Sequence, residues 1–416
     1  MGIKNNKLIA ELQERGFIYQ YSEDLDKILN KKRTIYLGVD PTAESIHVGN
    51  LAVYIFALHL VKAGHKIILL IGGATAMIGD PSGKDKERDF LDAAQISKFS
   101  RSITKQVRQV IGIKDIRVVN NRDWLSKMSI VDFLRDIGKH FTVNNLVKKE
   151  SISKRIQGDD GISFTEFSYS LLQGYDFYFL NKKMGVDLQI GGSDQWGNIV
   201  SGIELIRKKT GKTVYGLTTP LIVNKTTGKK FGKSEGNTVW LDPKKISPYS
   251  FYQFWFNTDD ANVIDYLKIF TFLSIKEIDK LESKMKLSPG DRMAQKVLAY
   301  EVVKFVHSER DADNARKVSS ILFETNKIEN LTKEQGKMLF REAPTCVIYS
   351  KISITELLLK TKLASSKREA RELIKNNAIK LNNKNVSIET ELSSKGVYLL
   401  SRGKQKKCVI NFVKKS

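Results

Sequence analysis

The feature that most constrains this chain is a strand, a polar loop and a helix that follow one another between residues 34 and 63. Thr34–Val39 has the mostly apolar character of a buried parallel strand. Asp40-Pro41 ends that strand, because a proline moves the preceding residue away from helical geometry. A helical pattern then covers Val48–Ala63, and Gly64 stands where a C-cap is expected. This order predicts an α/β fold whose ligand site lies in the loop, where free backbone N–H groups and the helix dipole favour an anion.

The strand and helix rhythm returns later in the chain. Four further apolar runs are predicted to be strands: Lys66–Ile71, Ile116–Val119, Leu188–Ile190 and Leu221–Val223. The segment Gly72–Lys84 follows the first of these, and its glycine content indicates either a tight surface turn or a loop that binds a ligand. Residues 124–185 interrupt the rhythm with mainly helical patterns, so we expect a helical insertion in the α/β region.

One helical face carries an unusual set of polar side chains. Tyr169, Gln173 and Asp176 are spaced four and three residues apart, which places them on the same side of a helix. Apolar residues flank them in sequence, and a polar group that is buried among such neighbours must find a hydrogen-bond partner. A small polar ligand would supply that partner, so this face is a candidate binding surface.

The loop Gly191–Gln195 is a second place where a strand ends and a helix begins, the helix starting near Trp196. Backbone N–H groups at such a helix start favour anions. Asp194 could accept hydrogen bonds from ribose hydroxyl groups in this loop. Considered in isolation, however, an aspartate at this position is better explained as a helix N-cap.

A lysine-containing loop at residues 226–234 follows the last predicted strand. It is not a phosphate-binding P-loop, because three residues separate its glycines where that motif has four, and no helical run follows Ser234. Lys230 and Lys233 flank a glycine, an arrangement that suits transient neutralisation of a phosphate leaving group. For either lysine alone, a solvated surface loop is the alternative.

The C-terminal third is helical and then strongly basic. Residues 247–322 are predicted to be helical from Ser247-Pro248 onward, since proline suits the first helical position after a cap residue. Residues 351–416 hold sixteen Lys and Arg against five Asp and Glu, a net charge of +11 out of +23 for the chain. That density favours a polyanionic partner such as nucleic acid, and a lysine-rich composition is the alternative explanation.

The basic tail also has a local structural pattern. Ser366–Glu369 has the pattern of a capping box, followed by the helix Ala370–Lys375 and the strand Ile379–Leu381. Residues 325–350 before the tail are polar and weakly patterned, which predicts a linker.

Composition excludes several other classes of protein. No apolar run approaches the roughly 18 residues of a membrane span, so no membrane contact is expected. The segment Met1–Asn6 lacks a signal-peptide core. Cys346 and Cys408 are the only cysteines, too few for a disulfide framework or a zinc site, and we expect no protein-held metal. A cytoplasmic location is the simplest expectation.

The loop motifs resemble those of one family. The stretch Asp40–Asn50 resembles the first signature of class I aminoacyl-tRNA synthetases, usually written HIGH. The residues KFGKS at 230–234 resemble the tyrosyl form of the second signature, usually written KMSKS. Gly72–Lys84 and Gln189–Asn198 resemble substrate loops of the bacterial tyrosyl enzymes. The chain is therefore identified as a member of the tyrosyl-tRNA synthetase family, and the resemblance covers essentially its whole length.

The resemblance implies a fold class and a domain plan. The class is α/β, with a Rossmann-like parallel sheet and a helical insertion, then a helical domain and a small α+β domain of the S4 type. The implied bounds are 1–240 for the catalytic domain with its insertion at about 124–185, 241–325 for a helical tRNA-binding domain, 326–350 for a linker and 351–416 for the RNA-binding domain. In the family the insertion also forms much of a homodimer contact, for which Phe164 and Phe167 are candidates. An ordinary core position is an equally good explanation for both.

The resemblance also assigns the residues that would bind L-tyrosine. Asp176 and Tyr36 would face the phenolic hydroxyl group, while Asp80, Tyr169 and Gln173 would meet the amino group. The full set is Tyr36, Asp80, Tyr169, Gln173, Asp176, Gln189 and Gln195.

ATP with Mg²⁺ is the implied second substrate, and no dedicated metal cage is expected. The residues assigned to ATP are Asp40, Thr42, His47, Gly49, Asn50, Gly192, Asp194, Lys230, Lys233 and Ser234. Stabilisation of the transition state is assigned to Thr42, His47, Lys84, Arg88, Lys230 and Lys233. Two positions depart from the family pattern. Asn50 replaces the final histidine of the first signature, and Leu37 stands where relatives often have a hydrogen-bonding residue, so one ribose contact is expected to be missing.

The implied activity joins tyrosine to ATP as an adenylate, releases diphosphate, and transfers tyrosine to the terminal adenosine of tRNA(Tyr). Two alternatives stay open. A tryptophanyl enzyme shares the nucleotide fold, but Tyr36 and Asp176 suit a phenol. A non-enzymatic RNA-binding protein would explain the basic tail, but not the loop motifs that converge on one sheet edge.

Overall fold

A computed structural model of the chain describes residues 2–82, 91–112, 116–158, 161–234, 237–325, 328, 331–403 and 406–413. The chain divides into two compact units. The first comprises Met1–Ile246 and Asp259–Ala294, and the second comprises Ser247–Thr258 and Gln295–Ser416. Within the described ranges, none of the helices combines the length and the apolar character that crossing a bilayer requires.

A parallel sheet of five strands forms the centre of the first unit. Its strands are β1 (Thr34–Val39), β2 (Lys66–Ile71), β3 (Arg117–Asn120), β4 (Leu188–Gly192) and β5 (Tyr215–Thr219). They lie in the order β3-β2-β1-β4-β5, and each pairing is parallel. The chain thus winds outward from β1 to β3 and returns to β4 on the other side of β1. Ligands of such sheets bind where the winding reverses, beyond the carboxyl ends of the two central strands.

Helices cover this sheet and fill the insertion. They are α1 (Gly2–Glu14), α2 (Leu25–Leu29), α3 (Val48–Lys62), α4 (Ala93–Ile111), α5 (Arg122–Leu125), α6 (Ile130–Asp136), α7 (Val143–Leu146), α8 (Glu150–Gln157), α9 (Phe164–Met184) and α10 (Trp196–Thr210). Helices α5 to α9 stand between β3 and β4, which confirms the helical character predicted for residues 124–185.

The strand, loop and helix between residues 34 and 63 have the predicted form. β1 has its predicted bounds, and α3 begins at Val48 after His47, the N-cap residue. Buried side chains occur all round α3, as expected for a helix that is apolar on every side. Gly64 has a φ of +99°, a left-handed conformation that suits glycine after a helix end.

The last strand of the sheet is not where the sequence places it. The prediction of a strand at Leu221–Val223 is wrong, because the strand is β5, and of the predicted run Val223 alone forms an isolated bridge, to Lys230. Leu221 and Val223 are partly exposed and follow Pro220, which cannot donate to a strand ladder. The strand itself is poor in large apolar residues. Its Gly216 lies against α10, where an added Cβ would come within 2.5 Å of Ile199.

The remaining helices are divided between the two units. They are α11 (Pro248–Phe256), α12 (Asp260–Phe270), α13 (Ile275–Leu287), α14 (Met293–Val306), α15 (Glu309–Ser320), α16 (Lys333–Glu342), α17 (Ile354–Lys360) and α18 (Lys367–Lys375). Ser247 caps α11 by accepting a hydrogen bond from the Ser250 N–H, as its position before Pro248 predicts. Helices α12 and α13 belong to the first unit, and α11 belongs to the second.

Short strands complete the structure. They are β6 (Lys233–Ser234), β7 (Asn237–Thr238), β8 (Thr345–Ile348), β9 (Ile352–Ser353), β10 (Ile379–Leu381), β11 (Lys384–Asn385), β12 (Glu391–Leu392), β13 (Gly396–Arg402) and β14 (Lys406–Phe412). A second five-stranded sheet has the order β11-β10-β13-β14-β8. It packs with α17 and α18 around buried apolar side chains that include Leu357, Ile374 and Leu400.

The segment predicted to be a linker is largely folded. Helix α16 lies within residues 326–350, and β8 pairs in parallel with β14, the last strand of the chain. The C-terminal sheet is therefore incomplete without β8. A capping box formed by Thr332 and Gln335 starts α16. This pattern can be recognised in the sequence and predicts a helix start, although the segment is polar overall.

The capping box predicted at Ser366 is half present. Ser366 accepts a hydrogen bond from the Glu369 N–H, as expected. The Glu369 carboxylate instead accepts from the Ser365 N–H over 2.6 Å and from Arg402 over 2.8 Å. The Ser365 hydroxyl group also donates to this carboxylate, and together with the Ser365 N–H and Arg402 it lowers the pKa of Glu369 to about 2. The helix starts at Lys367, three residues earlier than predicted.

Candidate active site

The carboxyl ends of β1 and β4 open into a cavity of about 300 Å³. Its lining brings together most of the side chains that the sequence assigns to binding. They are Tyr36, Asp40, Thr42, His47, Gly49, Asn50, Asp80, Tyr169, Gln173, Asp176, Gln189, Gly192, Asp194 and Gln195. These residues come from two strands, two helices and several loops, so the parallel sheet collects groups that lie far apart in the sequence.

Asp176 is a buried carboxylate that two N–H groups hold in place. The Trp124 indole donates to Oδ1 over 2.7 Å, and the Asn121 amide donates to Oδ2 over 3.0 Å. Burial raises the pKa of Asp176 to about 7, although both hydrogen bonds act to lower it. The Tyr36 hydroxyl group is also buried, and burial close to Asp176 raises the pKa of Tyr36 well above its usual value. This part of the cavity thus offers an acceptor and a protonated donor, the pair that a ligand hydroxyl group needs.

Asp40, which follows β1, accepts hydrogen bonds from two hydroxyl groups. Thr75 Oγ1 donates to Oδ1 and the Tyr169 hydroxyl group donates to Oδ2, each over 2.7 Å. Gly72 leaves room for this carboxylate, because an added Cβ would lie 1.8 Å from Asp40 Oδ1. Burial raises the pKa of Tyr169 well above its usual value, so its hydroxyl group keeps the proton that it donates. The lone pairs of Tyr169 are left to accept from a ligand.

Asp80 is the carboxylate of the loop that follows β2. Gln195 Nε2 donates to its Oδ2 over 2.7 Å, and the Ser82 N–H donates to its Oδ1 over 2.9 Å. Gln173 lies one helical turn after Tyr169 on α9 and is buried. These groups form a second polar region of the cavity, distinct from the one around Asp176, and suited to a cationic group.

Gln189 presents a buried hydrogen-bond acceptor at the cavity. Its Oε1 has no hydrogen-bond partner among the described residues, and the side chain lines the cavity from β4. Leaving a buried polar atom unpaired costs ~1–3 kcal/mol. A ligand donor in the cavity would remove that cost.

The two signature loops meet through their glycines. His47 Nδ1 accepts from the Gly49 N–H over 3.1 Å, which fixes the imidazole at the start of α3. An added Cβ at Gly49 would lie 3.2 Å from the Phe231 carbonyl oxygen, and one at Gly232 would lie 3.0 Å from the Gly49 nitrogen. The small size of Gly49 therefore lets the lysine-containing loop approach the start of α3.

Asp194 lies in a 3₁₀ turn, Ser193–Gln195, that precedes α10. It is not the N-cap of α10, since Gln195 holds that position. Burial raises the pKa of Asp194, and the nearby charge of Asp80 raises it further. Leu37 on β1 lines the same cavity with an apolar side chain, so it offers no hydrogen bond to a ligand there.

Five assigned residues are not placed in this cavity. Lys84 and Arg88 lie outside the described residues, and so do the side chains of Lys233 and Ser234. Lys230 lines a second cavity of about 840 Å³, which shares Asp194 with the first.

Sequence reasoning missed the groups that hold the assigned carboxylates. Asn121 is fully buried, donates to Asp176 and to Thr75 Oγ1, and accepts from the Ala74 N–H. Trp124 stacks on Phe179 with ring centroids 4.4 Å apart. Asn121 directly follows β3 at the same sheet edge as Asp40, and that position is the signal that could have identified it.

Two family models match the chain. One, described as class I tRNA synthetases (W and Y), matches residues 29–324, and one described as a tyrosine–tRNA ligase C-terminal domain matches residues 335–410. Among curated proteins, tyrosine–tRNA ligase 1 of Vibrio parahaemolyticus is 45% identical over 413 residues, covering 97% of this chain and 98% of that protein. The tyrosine–tRNA ligase of Staphylococcus epidermidis is 44% identical over 421 residues, with coverages of 98% and 99%.

Solved structures give the same picture for the fold. A C-terminally truncated mitochondrial tyrosyl-tRNA synthetase from Aspergillus nidulans is 31% identical, with a TM-score of 0.69, and the match covers 76% of this chain and 94% of that one. A tyrosyl-tRNA synthetase from Archaeoglobus fulgidus, complexed with L-tyrosine, has a TM-score of 0.54 at 19% identity, with coverages of 74% and 99%. At that identity the likeness concerns the fold alone.

Proposed function

The chain belongs to the tyrosine–tRNA ligases of the class I tRNA synthetase family, and from that membership we propose how its cavity performs the reaction. A tyrosine carboxylate oxygen attacks the α-phosphorus of ATP, the bond to the bridging oxygen breaks, and diphosphate leaves. A hydroxyl group of the terminal adenosine of tRNA then attacks the carbonyl carbon of the adenylate, and AMP leaves. Both nucleophiles are substrate oxygens, so the protein contributes positioning and stabilisation of developing charge.

The observation that carries the amino-acid assignment is the buried Asp176. We place the substrate phenol between Asp176, which accepts a hydrogen bond from its hydroxyl group, and the Tyr36 hydroxyl group, which donates a hydrogen bond to its oxygen. The substrate ammonium then lies among Asp80, Tyr169 and Gln173, which offer one charge and several acceptor atoms. Gln189 and Gln195 stand beside the carboxylate end. An indole has no hydroxyl group for the first pair, which favours tyrosine over tryptophan.

ATP is assigned to the switch point of the sheet. We place its ribose near Asp40, Asp194 and Gly192, and its phosphates near Thr42 and His47 at the start of α3, where the helix dipole favours negative charge. Asn50, exposed on the rim, substitutes for the histidine of the usual signature. Mg²⁺ arrives with ATP as part of the substrate, held chiefly by phosphate oxygens and water.

Amino-acid-dependent exchange of diphosphate into ATP, run with each of the twenty amino acids, tests this function. Tyrosine is the substrate expected to support exchange. Exchange with tryptophan would favour the tryptophanyl alternative. RNA binding without exchange for any amino acid would favour the non-enzymatic one.

The pH dependence of tyrosine activation follows from Asp176. Because the pKa of Asp176 is about 7, its acceptor form is lost as the pH falls below that value. We expect kcat/KM for tyrosine, which reports groups of the free enzyme, to be about a tenth of its plateau one pH unit below the pKa. A rate profile from pH 5.5 to 8.5 measures this, and Asp176→Asn should lack the inflection near 7. A profile in which the two enzymes share that inflection would assign it to another group.

We propose that tRNA uses two basic regions. The 840 Å³ cavity shares Asp194 with the catalytic cavity. Its lining carries an excess of positive charge that suits the acceptor end, with four lysines (Lys149, Lys154, Lys208 and Lys230) against three carboxylates (Glu150, Asp194 and Glu204). In the C-terminal region, α18 exposes Lys367, Arg368, Arg371 and Lys375 to solvent. We also propose a cytoplasmic location, because both cysteines, Cys346 and Cys408, are free thiols.

Removal of the C-terminal region is expected to weaken tRNA binding and to leave tyrosine activation intact. A chain that ends at Asn330 lacks α16, β8 and the rest of the C-terminal sheet. We expect it to keep tyrosine-dependent exchange within about threefold of full length, because the residues that line the catalytic cavity lie in the first compact unit and the cut falls in the second. The affinity for tRNA should fall at least tenfold and its salt dependence should flatten, because lysines and arginines that would bind phosphate are removed. The C-terminally truncated relatives of known structure support this division.

A matched variant keeps the whole fold. Lys367→Ala, Arg371→Ala and Lys375→Ala together remove exposed charge from α18, and they should reproduce the loss of tRNA affinity without changing exchange. If this triple variant charges tRNA normally while the shortened chain loses exchange, the tail is structural and the proposed division is wrong.

We propose that two copies pair through the helical insertion. Phe164 at the start of α9 is 74% exposed, and Ile130, Val131, Leu134 and Val143 are exposed apolar side chains of the same insertion. Phe167 instead packs against Leu146, Ile152 and Leu171, which favours its reading as a core residue. A symmetric dimer would bury Phe164 twice, so Phe164→Asp should raise the dissociation constant at least a hundredfold.

Sedimentation velocity over a concentration series measures that shift. Phe167→Leu, a core substitution of similar character, should leave the dimer intact. A wild-type chain that sediments as a monomer at micromolar concentration would rule out the pairing.

A further inference from the structure

Asp80, Gln195 and Asn198 form a closed ring of hydrogen bonds beside the catalytic cavity. Gln195 Nε2 donates to Asp80 Oδ2 over 2.7 Å. The Asn198 amide nitrogen lies 3.3 Å from Asp80 Oδ1 and 3.3 Å from Gln195 Oε1. Asn198 is buried and does not line the cavity itself, whereas Asp80 and Gln195 do.

The ring fixes the orientation of both amide groups. An ionised Asp80 can only accept hydrogen bonds, so Gln195 must turn its nitrogen toward Asp80. Gln195 Oε1 then needs a donor on its other side, and the Asn198 amide is the group that stands there. The same amide also lies 3.3 Å from Ser82 Oγ, in the loop that carries Asp80. Asn198 therefore ties that loop to the first turn of α10.

The charge of Asp80 is held without being neutralised. Its partners within the described ranges are N–H groups of Ser82, Gln195 and Asn198, all of them uncharged. Uncharged donors do not neutralise a carboxylate, so the negative charge of Asp80 is available to a cation. Three donors occupy most of the lone-pair sites of the two oxygens, so the site that remains for a ligand has a defined direction.

On the basis of the proposed function, we propose that Asn198 is a positioning residue for the ammonium group of tyrosine, acting through Asp80. Asn198 stands on a helix three residues after Gln195, so one rigid element holds both amides of the ring. Loss of the Asn198 amide removes one of the two N–H donors to Asp80 Oδ1, so that the Ser82 N–H remains, and it leaves Gln195 Oε1 without its donor. The carboxylate then meets the ammonium group in a less defined position.

Two analogues of tyrosine separate this role from a general effect on the fold. Tyramine keeps the phenol and the ammonium group but lacks the carboxylate, and 3-(4-hydroxyphenyl)propanoate keeps the phenol and the carboxylate but lacks the ammonium group. In Asn198→Ala we expect the dissociation constant of tyramine, measured by calorimetry or as an inhibition constant, to rise about tenfold. The constant for the propanoate should change less than threefold.

A matched control and a double variant complete the test. Asn181 donates from its amide to the Val186 carbonyl oxygen over 2.7 Å, away from the cavity, so Asn181→Ala should leave both constants unchanged. In an Asp80→Asn background, Asn198→Ala should change kcat/KM for tyrosine less than threefold, because the residue through which it acts is already altered. If thermal unfolding shows that Asn198→Ala does not fold, Asn198→Ser is measured against the same expectations.

The outcomes distinguish the inference from the function on which it rests. Equal weakening of the two analogues, no weakening of either, or a full effect of Asn198→Ala in the Asp80→Asn background would overturn the inference alone. A wild-type chain that binds neither analogue and supports no tyrosine-dependent exchange would overturn the proposed function and the inference with it.

Discussion

Replacing Asp176 with alanine is expected to lower kcat/KM for tyrosine about a hundredfold, the largest effect of any single substitution in the amino-acid site. The substitution removes the acceptor for the substrate phenol and leaves the Trp124 indole and the Asn121 amide without their partner. The hydroxyl group of the bound substrate then lacks its acceptor, a loss of ~1–3 kcal/mol that corresponds to a factor of up to about a hundred. The unpaired Trp124 and Asn121 groups cost stability in the free and the bound enzyme alike, so they lower the free energy of unfolding and not kcat/KM.

The same substitution should abolish the preference for tyrosine over phenylalanine. A site built to hydrogen-bond a hydroxyl group rejects the substrate that lacks one, because its buried polar groups then stay unpaired. Without Asp176, bound tyrosine also has a hydroxyl group without its acceptor, so the free-energy cost of unpaired polar groups no longer distinguishes the two substrates. Exchange kinetics with both amino acids measure the ratio. Tyr36→Phe removes the second partner of the phenol and should reduce the preference by a smaller factor, roughly tenfold. An Asp176→Ala enzyme with an unchanged ratio would show that the carboxylate does not read the phenol.

The parts of the fold that the sequence predicts are those with a local signal. β1 and β2 have their predicted bounds because each is a continuous apolar run bounded by a proline or by glycines. β5 was missed because its sequence is rich in glycine and threonine, and its pairing with β4 and packing against α10 decide its conformation. β8 was missed for a similar reason. It is a short strand whose partner, β14, lies at the far end of the chain.

The residues of the candidate site likewise fall into those with a local sequence signal and those without one. Tyr169, Gln173 and Asp176 could be predicted to share a face because helix periodicity is a local property, and all three are buried on α9. The strand order, which brings β4 beside β1, is not local, so nothing in the residues themselves shows that Asp194 and Asp40 line one cavity. The amide side chain that holds Asp176 in place, that of Asn121, can be identified only from contacts between residues far apart in the sequence. Asn121 is one of many asparagines until the folded chain places it between Thr75 and Asp176.

The lysine loop gives the other large expected effect. Lys230→Ala is expected to lower kcat for tyrosine-dependent exchange by about a hundredfold, with little change in the KM for tyrosine, because the charge it would neutralise develops as diphosphate departs. The loop is well anchored for this role. Phe231 donates its N–H to the Ile222 carbonyl oxygen over 2.8 Å, and its ring packs against Tyr266 and Phe270 of α12. Lys233→Ala is expected to act in the same direction.

Lys229 supplies a matched control for this lysine. It precedes Lys230, is exposed, and lines neither cavity, so Lys229→Ala changes the charge of the loop by the same amount without removing a cation from the cavities. We expect its kcat to stay within about twofold of wild type, since a solvated charge contributes little to a distant anion. Steady-state exchange kinetics and a single-turnover measurement of adenylate formation separate chemistry from product release. A Lys230→Ala enzyme with a raised KM for tyrosine and a normal kcat would make the lysine a ground-state binding residue. Equal losses in the two variants would mean that the net charge of the loop matters and the position of Lys230 does not.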